Sequence, residues 1–477
     1  MTTLTLLSTL LLFLPTTLAK PTPPTAAPPF DAATAAAALA ALGRSPSSLR
    51  GPGSLPDPHL PAGTDTMPEI EHIVLVMYEN HSYDSIFGLL GHGDGLPIRN
   101  GIVTASNPYS NGSVQHSFEM PNTCQSGHIS QEWNVSHVAF NNGSMDGFVS
   151  DIISPESMGY FTDRHLPFTM DLANHFPIAD RWFCSVMGQT WPNRMYLIAG
   201  TSMGIVNTNQ NITGLVPPAG TIFNTFDRFN ISWTDYLSPG AFPLGATPEL
   251  FTISDNETVT LNHATLDDFF AGLASGTLPQ FSFFEQSGVT QSEEPPQNVV
   301  VGEGLLASAL NALGESPLWN KTALIFVYDE HGGYYDHVPP PVALAPDNIT
   351  PVVPAGEFIF DGYHRYGFRV PALMVSPYAK PGRYVSHVLH DHTSVLAFLQ
   401  RKWNLPALTW RDANANDMTD FLDMEAMAQK RPTFPVFPKL KPAGNTTANL
   451  ECSTTGPGVI PPVGSVTEPG GRIKKRE

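Results

Sequence analysis

The chain has 477 residues, 42% of them hydrophobic and 14% charged, with a formal net charge of -19 and an isoelectric point near 5.2. That apolar fraction builds a large core. The acidic balance, with no compensating basic patch, opposes a nucleic-acid or anionic-membrane partner and favours soluble or zwitterionic ones.

Leu4 to Leu18 is an apolar stretch ending in Thr17-Leu18-Ala19, which predicts a secretory signal over residues 1–19, although a basic n-region is missing. It is too short for a membrane span, so no stable membrane insertion is expected. Residues 20–66, rich in Ala, Pro and Ser, read as a flexible leader in which Asp31 to Leu42 can form an alanine-rich helix. Residues 67–440 carry the patterns of a catalytic domain. Ile70 to Tyr78 is a mostly buried strand followed at once by Glu79-Asn80-His81-Ser82, after which the chain bends into a helix over Ser82 to Gly88. Glu79 and Asn80 offer the oxygen donors that divalent cations accept, while Glu79 alone reads equally well as a helix-capping acid. Next, Gly188-Gln189-Thr190-Trp191-Pro192-Asn193-Arg194 holds the Thr190 hydroxyl between small and rigid neighbours at a turn or helix start. Backbone N–H groups there favour an incoming phosphate, and a lone Thr there also serves as a cap.

A helix is expected over Gly302 to Leu313. Thr322 to Val327 is an apolar, β-branched run, and behind it Tyr328-Asp329-Glu330-His331-Gly332-Gly333-Tyr334-Tyr335-Asp336-His337 packs carboxylates, imidazoles and paired glycines. Glycines allow the sharp turn that projects Asp329 and Glu330 together from a sheet's carboxyl edge; the alternative is a polar turn with solvated acids. Ala372 to Val375 is a further strand, and Asp391-His392 opens a helix running through Lys402. Residues 441–477 form a Pro/Gly-rich tail ending in Arg472-Ile473-Lys474-Lys475-Arg476. Apolar strands at Ile73 to Met77, Ala323 to Tyr328 and Ala372 to Val375, with helical stretches between them, predict an α/β fold. Its central sheet is mainly parallel and covered by helices on both faces. Site motifs scattered from Glu79 to His392 argue for one large domain with long insertions rather than several. No internal repeat is found.

Sequons at Asn111, Asn134, Asn142, Asn211, Asn230, Asn256, Asn320, Asn348 and Asn445 fit a secreted glycoprotein; Asn80-His81-Ser82 also matches and is expected to be unmodified. Of Cys124, Cys184 and Cys452, the pair expected to bond is Cys124 with Cys184, because Cys452 lies in the tail.

Taken together, Glu79-Asn80-His81-Ser82-Tyr83-Asp84 with Phe87-Gly88, Gly188 to Arg194, Asp329-Glu330-His331-Gly332-Gly333 with Asp336-His337-Val338-Pro339-Pro340, Arg369-Val370-Pro371, Val375 to Ala379 and Asp391 to Leu396 resemble the phosphoesterase family. That family contains bacterial phospholipases C and some acid phosphatases, within the alkaline phosphatase superfamily. The resemblance runs from Met67 to Leu405 and implies an alkaline phosphatase-like fold. It also implies a divalent metal ion on Glu79, Asn80, Asp329 and Glu330, a phosphoryl-accepting hydroxyl at Thr190, and a catalytic imidazole at His392. Two positions depart from the family pattern. Glu294, in Ser292-Glu293-Glu294-Pro295-Pro296, stands where a histidine is usual, and Gln131 stands where another is usual, with His128 nearby as its substitute.

The expected function is a secreted, metal-dependent phosphoric ester hydrolase of phospholipase C type. It would cleave a small-molecule or phospholipid phosphodiester through a threonine phosphoenzyme, with His392 protonating the leaving group. An acid phosphomonoesterase is the nearest alternative. A catalytically silent extracellular binding protein is a remote one, supported only by Gln131 and Glu294.

Overall fold

Strands that are apolar at successive positions must be covered on both faces, and in the computed structural model they line the centre of one sheet. The structure describes residues 28–150, 153–238, 250–251, 262–286, 291–444, 452–468 and 472–474. The expected signal over residues 1–19 and the sequons at Asn256 and Asn445 lie outside them. The sheet has eight strands: β1 (His72–Tyr78), β2 (Ile178–Ala179), β3 (Trp233–Leu237), β4 (His263–Thr265), β5 (Phe281–Glu285), β6 (Thr322–Tyr328), β7 (Ala372–Val375) and β8 (Val385–Ser386). Their order is β4-β3-β5-β1-β6-β7-β2-β8. Only β7 runs antiparallel to its neighbours, so the sheet is mainly parallel, as expected. At its centre β1 pairs with β5 from Ile73↔Phe281 to Val76↔Phe284, and with β6 from His72↔Thr322 to Tyr78↔Tyr328. Every residue of β6 is buried.

The helices that position the site are α1 (Ala32–Ala41), α2 (Tyr83–Phe87), α3 (Trp133–Phe140), α4 (Thr190–Ala199), α5 (Val299–Glu315) and α6 (Thr393–Trp403). Ser82 caps α2 by accepting the Ser85 N–H at 3.1 Å, so the helix expected after β1 starts on the residue able to satisfy its free donors. Along α5, Leu306, Leu310 and Leu313 recur at helical spacing and enter the core.

Residues 28–66, read as a flexible leader, instead pack on the domain. Asp31 caps α1 through the Thr34 N–H at 2.7 Å, and Ala35, Ala38 and Leu39 bury against Leu344. Small alanine side chains let that helix lie close to its support. Beyond it, Arg50 donates to the Ala413 carbonyl at 2.9 and 2.6 Å, and Asn404 Nδ2 donates to the carbonyls of Asp57, Leu60 and Pro61 at 3.0, 2.9 and 3.1 Å. A segment whose carbonyls find partners in the domain is not a loose tether.

The expected Cys124–Cys184 bond does not form. Cys124 is joined to Cys452 across 328 residues, with Cα atoms 5.2 Å apart. The tail folds back onto the Cys124 loop, where Asn122 Nδ2 donates to the Gly456 carbonyl at 3.2 Å. Cys184 is a buried thiol below the site, its pKa pushed up by burial and then by the charges of Glu330 and Asp329. Peptide mapping without reductant should recover a Cys124–Cys452 linked peptide, with Cys184 alkylated only after unfolding. Cys452→Ser should lower stability by about 2–4 kcal/mol, read by thermal denaturation. A Cys184-containing crosslink would contradict this arrangement.

Candidate active site

The parallel register of β1 and β6 carries the site. Beyond the Tyr78↔Tyr328 pair, the Asp329 N–H donates to the Tyr78 carbonyl at 2.9 Å. The tyrosines point to the α5 side: Tyr78 Oη donates to the Gly302 carbonyl at 2.9 Å, and Tyr328 Oη donates to Glu293. Side chains alternate along a strand, so Glu79 and Asp329 turn to the other side together. Arg194 of α4 meets both there, through Nη2 to Glu79 Oε1 at 2.7 Å and Nε to Asp329 Oδ2 at 3.3 Å, with Nη1 3.6 Å from Glu285 at the end of β5. Its pKa is raised by these carboxylates despite burial.

The turn after Glu330 demands glycine. Gly332 has φ +64°, and a Cβ there would lie 2.1 Å from the Asn80 carbonyl oxygen. The Gly332 N–H donates to Glu330 Oε2 at 2.8 Å. The turn thereby packs against the Asn80 backbone at the carboxyl edge. Full burial raises the pKa of Asp329 far above the usual carboxylate range; Arg194 opposes this, and Glu79 and Glu330 add to it. Glu330 is raised likewise by burial, with the Gly332 N–H and the Gln131 side chain pulling it down and Glu79 pushing it up. Glu294 is pushed up to about 9 by burial and by the charges of Glu79, Asp329 and Glu330. Asn80 Oδ1 and Nδ2 and Glu330 Oε1 are buried without a hydrogen-bond partner. Unsatisfied oxygens beside mutually repelling carboxylates fit a hard divalent cation. Glu79, Asp329 and Glu330 do not bring ligand atoms to within 4.8 Å of one another. Arg194, bonded to both Glu79 and Asp329, lies between the two strand ends. Asn80 is fully buried, so its sequon has no room for a glycan.

Asn193 builds the turn that presents Thr190. Its Oδ1 accepts the Val186 N–H at 2.9 Å, and Nδ2 donates to the carbonyls of Val186, Gly188 and Gln189 at 3.2, 3.2 and 3.0 Å. Thr190 is the first residue of α4 and half-buried. It lies four positions before Arg194, which sets both on one helix face. Pro192 sits in the first turn, where its missing N–H has no intrahelical partner to lose.

His392 stands elsewhere than its expected role requires. Nε2 bonds the Asp329 carbonyl oxygen at 2.6 Å, and Nδ1 accepts the Trp182 indole N–H at 3.4 Å. The ring therefore carries its proton on Nε2, is fully buried, and has its pKa pushed down to about 4 by that burial. Both ring nitrogens are thus engaged within the protein, one of them on the backbone of Asp329. His128 Nδ1 lies 3.3 Å from Glu294 Oε1, with its side chain 57% exposed. Arg194, Glu285 and the contribution of Gln131 to Glu330 went unread in the sequence, although Arg194 lies within the Thr190 motif.

A second cluster, Asp84, Asp336 and His337, holds ligand-type atoms within 4.8 Å of one another. Arg369 occupies it: Nε donates to Asp336 Oδ1 at 2.9 Å and Nη2 to Asp84 Oδ1 at 3.1 Å, while Asp84 Oδ2 takes the His337 backbone N–H at 2.8 Å and lies 2.7 Å from His337 Nδ1. These groups join α2 to the loop after β6.

The sequence profile described as "Phosphoesterase family" matches residues 70–406. Phospholipase C B of Mycobacterium tuberculosis is 30% identical over 417 residues, covering 75% of this chain and 78% of that protein. Non-specific phospholipase C1 of Arabidopsis thaliana is 30% identical, covering 72% of this chain and 69% of that protein. A solved protein in the alkaline phosphatase superfamily from Vibrio parahaemolyticus superposes with a TM-score of 0.34 at 12% identity, over 70% of this chain and 76% of that one.

His392→Ala should slow activated and unactivated esters by the same factor and lower the melting temperature, because a buried bond to the Asp329 carbonyl is lost at a cost of about 1–3 kcal/mol. Selective slowing of esters with poor leaving groups, at unchanged stability, would restore the acid role.

Proposed function

The chain belongs to the phosphoesterase family and is a phosphoric ester hydrolase, and from that premise we propose that it is a phospholipase C type phosphodiesterase acting through Thr190. The observation that carries the proposal is Arg194, which ties the helix opened by Thr190 to both Glu79 and Asp329. Thr190 Oγ would attack phosphorus in line, and the P–O bond to the glycerol-side alkoxide would break. The phosphorylated head group then remains on Thr190 until water displaces it.

Glu79, Asn80, Asp329 and Glu330 are the residues that would hold a divalent cation, which supplies charge stabilisation and acidifies a bound hydroxyl. Arg194 restrains Glu79 and Asp329 against mutual repulsion, and His392 fixes the backbone from which Asp329 and Glu330 project. With both His392 nitrogens engaged, proton delivery to the leaving alkoxide passes to His128, oriented by Glu294. We place the protein outside the cell on the strength of the apolar run from Leu4 to Ala19. Among the described residues no helix is long and apolar enough to cross a membrane.

Thr190→Ala should lower turnover by about 10³-fold or more with the fold retained, and Thr190→Ser should keep measurable activity. Half the wild-type rate in Thr190→Ala would reject the nucleophile. Offered side by side, p-nitrophenyl phosphocholine should be cleaved faster than p-nitrophenyl phosphate; the reverse preference would make the protein a phosphomonoesterase. Dialysis against a chelator should abolish both activities, and a divalent cation should restore them.

A further inference from the structure

A group of outward-facing apolar side chains stands beside this site. Phe358, Ile359 and Phe360 are 68%, 48% and 45% exposed, and Val138 on α3 is 53% exposed. They are fixed rather than loose. The Trp133 indole N–H donates to the Phe358 carbonyl at 2.8 Å, the Phe360 ring stacks on His137 at 4.1 Å between centroids, and the Phe358 and Phe360 rings are 5.9 Å apart. Val352, also exposed, joins the same support: its N–H donates to the Gly204 carbonyl at 2.8 Å and its carbonyl accepts from Gln210.

That support leads to the catalytic turn. Asn207 Oδ1 accepts the Trp133 N–H at 2.9 Å, and the next residue, Thr208, donates its N–H to Gln189 Oε1 at 2.8 Å, immediately before Thr190. At the other end, Gln131, two residues before Trp133, faces Glu330. The backbone that carries the patch is therefore tied by hydrogen bonds to the turn before Thr190. Its polar neighbours include Glu132, Glu357 and Asp361, with Asp361 paired to Arg365, in a chain of net charge -19. Exposed aromatic and aliphatic side chains enter the headgroup boundary of a bilayer, and an acidic surround repels anionic lipid.

We propose that Val138, Val352, Phe358, Ile359 and Phe360 form a docking surface for a zwitterionic phospholipid interface, which lowers the site onto lipid head groups; this rests on the phosphodiesterase reading above.

The test compares the full protein with the double variant Phe358→Ser/Ile359→Ser. Cosedimentation uses phosphatidylcholine vesicles, with and without added phosphatidylglycerol, and turnover is measured on those vesicles and on monomeric short-chain phosphatidylcholine. The wild type should bind phosphatidylcholine vesicles and bind less when phosphatidylglycerol is added. The variant should bind at least about tenfold more weakly, lose vesicle turnover by a similar factor, and cleave the monomeric lipid like wild type at an unchanged melting temperature. Wild-type protein that cleaves monomeric lipid without binding vesicles would overturn the docking surface, as would a variant that binds normally or loses equal activity on both forms. Vesicle binding that the variant weakens, without cleavage of either lipid form, would support the surface and overturn the phosphodiesterase reading alone.

Discussion

Carboxylates brought together away from water raise one another's free energy, and much of the polar structure around the sheet's carboxyl edge answers that repulsion. Arg194 reaches Glu79, Asp329 and Glu285, the ends of three adjacent strands, from one helix. The Gly332 N–H faces Glu330. His392, which as an imidazolium would add positive charge, is instead kept neutral by burial and turned toward a backbone carbonyl. Within the core, Arg369 performs the same neutralisation for Asp84 and Asp336. The difference lies in what is left over. Around Arg369 each carboxylate has its donors, whereas at the strand ends Glu330 Oε1 and Asn80 Oδ1 have none. Unsatisfied buried oxygens mark the first cluster as a place to receive something and the second as a brace.

The fold was largely legible because its signals are local. Continuous apolar runs at β1 and β6, a cap at Ser82 and helical spacing along α5 each depend on neighbours in sequence. The placement of Glu79 and Asp329 on one face needs the Tyr78↔Tyr328 register as well as strand alternation. The unread features were non-local. Arg194 stands in plain view beside Thr190, but its three carboxylates lie on separate strands, so no spacing announces the contact. His392 has the residue type and helix-start position of an acid catalyst; only the indole of Trp182 and the Asp329 carbonyl, both distant in sequence, engage its nitrogens. Tail composition likewise says nothing about where a tail lands, which is why Cys452 was set aside although it bonds Cys124. The same applies to the alanine-rich leader, whose composition permits flexibility while its hydrogen bonds to Ala413 and Asn404 remove it.

Gln131 and Glu294 take on a consistent sense in this setting. Both occupy connecting segments, one before α3 and one before α5, where side chains change without disturbing the sheet. The Glu294 carboxyl, pushed up to about 9 by burial and its carboxylate neighbours, adds no negative charge to that edge near neutral pH, and His128 lies against it from the solvent side. Gln131 keeps a neutral dipole beside Glu330 where an imidazole would bring a titrating group. Both positions face the candidate site, Gln131 beside Glu330 and Glu294 against Glu79.

Chemistry and access are thus built from different material. The groups proposed to react stand on strand ends and a helix start, whose positions are set by the register of β1 with β6 and by the Asn193 bonds; such elements hold a geometry but leave little room to vary it. Recognition falls to the loops above them, where Phe358 to Phe360 and α3 present apolar side chains to solvent. Those side chains would gain by leaving water, and the bond from the Trp133 indole to the Phe358 carbonyl ties their backbone to the segment that leads to the Thr190 turn. The proposed zwitterionic interface would supply that gain, being apolar below a polar layer and without net negative charge. The acidic charge that helps keep the protein soluble also selects against anionic surfaces, so solubility and the choice of interface follow from the same residues.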